Sequence, residues 1–224
     1  MEKLEFRLLK AEEIDCRVGT QTDKGVSLLM YKDARVDMRL LDEVVGVMNW
    51  KREHVVINGN LYCTVSIWDE AKKEWVSKQD VGVESNTEKE KGQASDAFKR
   101  ACFNWGIGRE LYTCPFVWVN LNDNEWRMGA NGRKTPKTRF YVDAIEYLDG
   151  RVSYIRIIDD RGTERYKWGD TANDINKVGS ACAEVAAAND IKELEAIYRK
   201  YEKKFKSNTY FINAVTKRKN ELMK

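Results

Sequence analysis

Histidine occurs once in the chain, at His54, and proline only twice. With a single imidazole, no Ser-His-Asp triad, paired-histidine metal site or histidine-based acid–base mechanism assembles in the usual way. No G-x-x-x-x-G-K-[ST] loop is present to cradle nucleotide phosphates, and Gly106-Ile107-Gly108 follows a helical pattern where a dinucleotide fingerprint would follow a strand. ATPase and dehydrogenase chemistry are therefore set aside. The five cysteines, Cys16, Cys63, Cys102, Cys114 and Cys182, stand singly without zinc-ligand spacing, so they read as reduced thiols serving as small hydrophobes. Long apolar runs are missing, and Glu, Lys and Arg interrupt the apolar residues of the first ten positions. The expectation is a cytoplasmic protein with no membrane segment. A large charge excess is absent too: at a formal net charge of +3, any polyanion-binding surface has to be a local concentration of cations.

Carboxylates leave one route to catalysis. Asp143, Glu146, Asp159 and Asp160 are the acids that would hold Mg²⁺ for a nuclease. Asp159 and Asp160, however, precede Arg161-Gly162 in a turn, and Asp143 and Glu146 have opposite strand parity. A non-enzymatic protein with no cofactor and no metal is expected, with a metal-dependent nuclease as the alternative.

A hydrophobic content of 42% with 11% aromatics describes a folded protein. The length of 224 residues suits one main domain and a smaller appendage. A short helix is predicted over Lys10–Val18, then a polar loop from Gly19 to Gly25 and a strand over Val26–Tyr31. Asp37 reads as the N-cap of a helix whose face carries Leu40, Leu41, Val44 and Val45, ending at Gly46. Asn58-Gly59-Asn60 marks a tight hairpin between Val55–Ile57 and Leu61–Ile67, and a third strand, Trp75–Val83, completes an antiparallel meander.

The strongest helical stripe follows: Ala94, Ala97, Phe98, Ala101, Cys102 and Trp105, with Thr87 and Glu90 as a capping pair and Gly106 as the stop. Trp118 marks a strand, Asn122–Lys137 a polar loop, and Asp149-Gly150 a second hairpin between Phe140–Tyr147 and Val152–Ile158, with a further strand over Glu164–Trp168. Composition shifts after Gly169. Residues 1–169 are expected to form the main domain, 170–188 a linker or weak helix, and 189–224 a helical tail. In that tail Asp190 and Glu193 cap a first helix, and Phe211, Val215, Arg218 and Leu222 stripe a second. The fold class is α+β: a β-meander packed on a long helix, an additional β-hairpin and a small C-terminal helical hairpin.

Opposite the apolar stripe of that long helix, Lys89, Gln93, Asp96 and Arg100 fall on nearly one line, with Lys91 and Lys99 along its flanks. Such cations can neutralise phosphates without reading bases, or simply form a solvated face. Trp105 lies on the stripe and Trp50 just beyond a core helix, and both read as core residues, whereas Trp68 is open. The tail cations Arg199, Lys200, Lys203, Lys204, Lys217, Arg218 and Lys219 suit DNA contact or solvation equally.

The run Trp75-Val-Ser-Lys-Gln-Asp-Val-Gly-Val83, a charged helix, and then Asp96-Ala-Phe-Lys-Arg-Ala-Cys-Phe-Asn-Trp-Gly-Ile-Gly108 closely resembles the Rad fifty-two family of single-strand annealing proteins, its phage recombination branch above all. Ile14-Asp-Cys-Arg-Val-Gly19, the Lys24 loop, Ala34-Arg-Val36, and Leu41-Asp-Glu-Val-Val-Gly46 followed by Trp50 fall in the family's order, so the resemblance covers about Lys10 to Tyr112. It implies a β-β-β-α core whose subunits join into a homo-oligomeric ring with a cationic outer groove. Single-stranded DNA lies in that groove, held by its backbone with bases turned outward, and annealing needs no ATP.

By the same motifs, Lys99 and Arg100 are implied as groove-floor phosphate contacts, Lys91 as an earlier contact on the same helix, and Arg17 as a contact from the N-terminal helix. Lys24 and Arg35 are further matches. Where family members often carry another basic residue after the Lys-Arg pair this chain has Phe103, and Arg109 is the replacement cation. A scaffold that coats strands without annealing them is a further alternative, and the tail is expected to dock a single-strand-binding protein or an exonuclease.

Overall fold

In the computed structural model, residues 4–84, 89–128, 134–206 and 208–223 are described. They form two compact units, Met1–Trp168 and Gly169–Lys224. The strands of the first unit are β1 (Asp15–Thr22), β2 (Gly25–Tyr31), β3 (Trp50–Ile57), β4 (Asn60–Asp69), β5 (Glu74–Val81), β6 (Val117–Asn120), β7 (Trp126–Met128), β8 (Lys134–Pro136), β9 (Phe140–Leu148), β10 (Arg151–Asp159) and β11 (Glu164–Gly169). Its α-helices are α1 (Ala34–Val45) and α2 (Lys89–Trp105), and the second unit holds α3 (Ala172–Ala187), α4 (Ile191–Phe205) and α5 (Thr209–Leu222). The class is α+β. One sheet has the order β11-β10-β9-β1-β2-β6, a second β3-β4-β5, and β7 pairs β8 alone.

The first correction lies at the N-terminus. Lys10–Val18 is not a helix: a 3-10 turn over Ala11–Glu13 leads straight into β1. Cys16 and Val18 are half-buried while Asp15 and Arg17 are exposed, a period of two that the pairing of β1 with β2 rewards. The polar loop over 19–25 shrinks accordingly to a two-residue turn at Asp23-Lys24.

The N-cap of α1 is Asp33, whose carboxylate accepts from the Arg35 N–H at 2.8 Å. Asp37, expected in that role, is instead wholly buried inside the helix, ion-paired with Lys32. Both hairpin turns stand where Asn-Gly and Asp-Gly mark them: Ile57 pairs Asn60 and Leu148 pairs Arg151, across turns with positive φ at Asn58, Gly59, Asp149 and Gly150. Thr87, expected to cap α2, lies outside the described residues. Within the expected Asn122–Lys137 loop, Asp123–Glu125 is a 3-10 turn, and β7 pairs with β8.

One apolar core fills the first unit, drawing Val26 and Leu28 from β2, Leu40 and Leu41 from α1, Val65 from β4, Phe98 and Ala101 from α2, and Ile155 and Ile157 from β10. Trp50 stacks on Phe98 at 6.1 Å between ring centres, and the Trp105 indole N–H donates to the Val65 carbonyl at 3.0 Å. Both tryptophans are thus packing residues with a polar tip satisfied.

In the second unit the stretch expected as a linker or weak helix is a helix, and the expected helical hairpin is part of a three-helix core. Residues 170–188 contain α3, started by Thr171, whose hydroxyl accepts from the Asp174 N–H at 3.1 Å. Its Val178, Ala181 and Val185 pack with Leu194, Phe205 and Phe211 in a core of their own, a three-helix arrangement. The weak helix that the sequence allowed here is thus a packed one, its buried stripe built from small residues. Two tail cations are occupied here: Arg218 donates to the Ala188 carbonyl at 2.8 and 3.0 Å, and Lys200 to Glu184 at 2.8 Å.

Candidate nucleic-acid interface

Helix α2 is anchored along one side before it presents anything to solvent. Ala97, Phe98, Ala101 and Cys102 are fully buried. At its N-terminal half the backbone of Gly82 approaches so closely that any Cβ there would collide with the Gln93 carbonyl, and Asp96 accepts from the Val83 N–H at 3.0 Å. At its C-terminal end the Arg109 guanidinium donates to the Phe103 and Asn104 carbonyls at 2.8 and 2.9 Å, and the Lys78 ammonium donates to Asn104 at 2.7 Å. Two cations on the last carbonyls complement the negative end of the helix.

The residues left over on this fixed helix face a cleft of about 690 Å³. Strand β2, from Leu28 to Tyr31, lines one side; Asp96, Lys99, Arg100, Phe103 and Asn104 of α2 line the other; Gly108 to Phe116 closes it. Lys99 is half-buried with its ammonium 6.0 Å from the Tyr31 ring centre, and Arg100 is more open, its Nε 3.3 Å from an Asp80 oxygen. Beneath them Lys32 also lines the cleft, tied to the buried Asp37. Burial pushes the Asp37 carboxyl up to about 6, against the pull of Lys32 and of Lys99. Asp33 is held below the usual carboxylate range first by the Arg35 side chain, with Lys99 contributing.

The residues singled out from sequence fall into three groups. Lys99 and Arg100 meet in the cleft. Arg17 is on β1, not on a helix, directly across from the lining residue Leu29, and does not itself line the cleft. The others lie elsewhere: Lys91 near the start of α2, Lys24 in the β1–β2 turn, Arg35 exposed on α1 and paired with Asp33 at 2.9 Å, and Arg109 capping α2.

Sequence reading missed Asp80, Lys32 and the aromatic rim formed by Phe103, Tyr112 and Phe116, for which no local periodicity exists. Residues 1–168 hold equal numbers of basic and acidic side chains, so the positive character of the cleft is local. Of the acids weighed for metal binding, Asp159 receives the Arg161 and Thr163 N–H groups and Arg165, and Asp143 receives Arg156.

Fold and site together define an α+β protein with a cation-floored cleft between a strand and a long helix. A family model described as Rad52/22 family double-strand break repair protein matches residues 1–129, and the chain belongs to that family. Among curated proteins it is 35% identical over 134 residues to the single-stranded DNA-binding protein DdrA of Deinococcus radiodurans, covering 54% of this chain and 62% of that one. It is 37% identical over 108 residues to the protein of the same name from Deinococcus deserti, covering 47% and 52%. The chain thus spans between half and two thirds of the length of these relatives. The cleft residues from Leu28 to Phe116 all lie inside the family match.

Proposed function

We propose that this protein binds single-stranded DNA in the α2 cleft through the phosphate backbone and anneals complementary strands during recombination and repair. The observation that carries the reading is the pair Lys99 and Arg100, adjacent on a rigid helix and side by side in a cleft that lies within the family match. Cations fixed this way neutralise phosphates whatever the base, and leave base edges free to test a complement. The β3-β4-β5-α2 segment serves as the annealing core, and copies of the chain assemble into a ring that strings the clefts along one strand. Arg17 extends the phosphate track from the sheet, and Lys91, Lys24 and Arg35 add contacts further along it.

Pairing of two complementary single strands is downhill, so neither ATP nor a metal enters the reaction. The three-helix unit, with a core of its own, docks a single-strand-binding protein or an exonuclease, and the protein works in the cytoplasm. No described helix is long and apolar enough to cross a membrane.

The test is incubation of complementary oligonucleotides with the protein in EDTA. Accelerated duplex formation supports annealing. Strand protection without pairing would leave only a coating scaffold, and cleavage restored by Mg²⁺ would replace the reading with a nuclease.

A further inference from the structure

Besides Tyr31, which lies beside Lys99, three aromatic side chains line the cleft, and the proposed phosphate contacts do not use them. Tyr112 is 79% exposed and Phe116 76%, far above what large apolar rings usually show. Neither sits on a loose loop. Gly108, at φ +76°, starts a 3-10 turn over Arg109–Thr113, and the Thr113 hydroxyl both donates to Glu110 at 2.7 Å and accepts the Val152 N–H at 2.8 Å. Phe116 is held through its carbonyl, which accepts from the Tyr166 hydroxyl at 3.1 Å, and β6 begins at the next residue.

Phe103, one turn beyond Lys99 on α2, meets the Tyr112 ring edge-to-face at 4.9 Å and is covered by the Arg109 guanidinium at 5.5 Å. The Tyr112 ring is thus held against Phe103 and the Phe116 backbone is anchored, both Tyr112 and Phe116 are open to solvent, and all three rings share one cleft with Lys99 and Arg100.

The geometry points to a base-stacking rim: Tyr112 and Phe116, with Tyr112 braced by Phe103, receive the faces of bases whose phosphates Lys99 and Arg100 hold. This inference rests on the strand-binding reading and deepens it. A strand held by its backbone at the cleft floor turns its bases toward the mouth, where an aromatic face meets any base through its π surface. Stacking occupies the face and leaves the Watson–Crick edge open, so it orders bases for pairing without competing with the complement. Charge complementarity selects a polyanion carrying planar rings over an apolar peptide as the occupant.

The experiment compares a fluorescein-labelled oligo-dT with an abasic phosphodiester of the same length, by anisotropy at several salt concentrations. Wild-type protein is expected to bind oligo-dT at least about tenfold more tightly than the abasic strand, as stacking on two rings implies. Tyr112→Ala with Phe116→Ala should abolish that preference and leave the salt slope unchanged, while Tyr112→Phe retains it because the ring, not the hydroxyl, does the work. Circular dichroism and sedimentation of each variant establish that fold and assembly are kept. Equal affinity of the wild type for both strands overturns the rim, as does a doubly substituted protein that keeps its preference. A change of assembly state without loss of preference would make the rim a subunit contact and overturn it as well. Failure of the wild type to bind either strand at low salt would remove the strand-binding reading itself.

Discussion

Arg100 Nε stands 3.3 Å from Asp80 Oδ1, so one of the two adjacent cleft cations already has a carboxylate neighbour before any ligand arrives. Asp80 also accepts from Asn104 at 3.4 Å, which ties β5 to α2. A phosphate entering the cleft therefore competes with Asp80 for the guanidinium.

Asp80→Asn should raise affinity for single strands by roughly fivefold or less, the scale of a partly exposed ion pair. The salt dependence should steepen at the same time, because Arg100 becomes wholly available to phosphate. Anisotropy titrations at three salt concentrations check both. Weaker binding by a folded Asp80→Asn protein would show that the carboxylate positions Arg100 instead of competing for it.

The family resemblance implies Arg109 as a replacement phosphate contact, yet its guanidinium spans two terminal carbonyls of α2. Arg109→Ala should lower stability by about 1–2 kcal/mol, as lost charge-assisted hydrogen bonds do. The salt slope for strand binding should stay within error of the wild type. Urea unfolding and binding titrations on one preparation separate the cap from a DNA contact.

Lys32 and Asp37 are both nearly inaccessible, and the second Asp37 oxygen has no hydrogen-bond partner among the described residues. Lys32→Met should cost about 3–5 kcal/mol by stranding a buried carboxylate, and adding Asp37→Leu should recover much of it. A Cβ on Gly108 would strike the Lys32 side chain, so Gly108→Ala should also destabilise the cleft floor. Thermal unfolding of the three variants beside the wild type gives the order.

Acid sensitivity should be traceable to Glu13. Donor bonds from Arg7 lower its carboxyl from 4.5 to about 2. A depressed acid contributes stability that is present above pH 4.5 and is lost as pH falls toward 2. Asp37 runs the other way: its carboxyl is raised from 3.8 to about 6 by burial, so its contribution falls as pH rises through that window. Arg7→Gln should therefore flatten the acid limb of the stability curve by about 2 kcal/mol, after allowance for the partly exposed Arg7. Chemical denaturation between pH 2 and 7 measures it.

Much of this was legible in the sequence because the signals are local. Asn58-Gly59 and Asp149-Gly150 demand positive φ and mark their hairpins, and the Ala97-Phe98-Ala101-Cys102 stripe marks the buried face of α2. Arg17 was misplaced on a helix because its neighbours alternate over too few residues for period two to beat period 3.6, until β2 supplies the pairing. Asp37 was misread as a cap since an acid before an apolar stripe looks the same whether it faces solvent or a buried lysine. Between a linker and a weak helix over 170–188 the sequence left the choice open, for want of large apolar residues in α3. The aromatic rim joins Phe103 on a helix to Tyr112 and Phe116 on the segment that folds back over it, a relationship fixed by tertiary packing alone.

Lys99 and Arg100 carry the proposed strand binding. Because Phe98, Ala101 and Cys102 supply the packing and alanine favours helix, Lys99→Ala with Arg100→Ala should leave circular dichroism and assembly state unchanged. The measurement is the slope of log affinity for oligo-dT against log salt, taken beside annealing of complementary strands. The expected result is a slope shallower by about 1.4, two phosphate contacts at about 0.7 each, with annealing lost. A folded, assembled double variant that binds with the wild-type slope and anneals normally would contradict it.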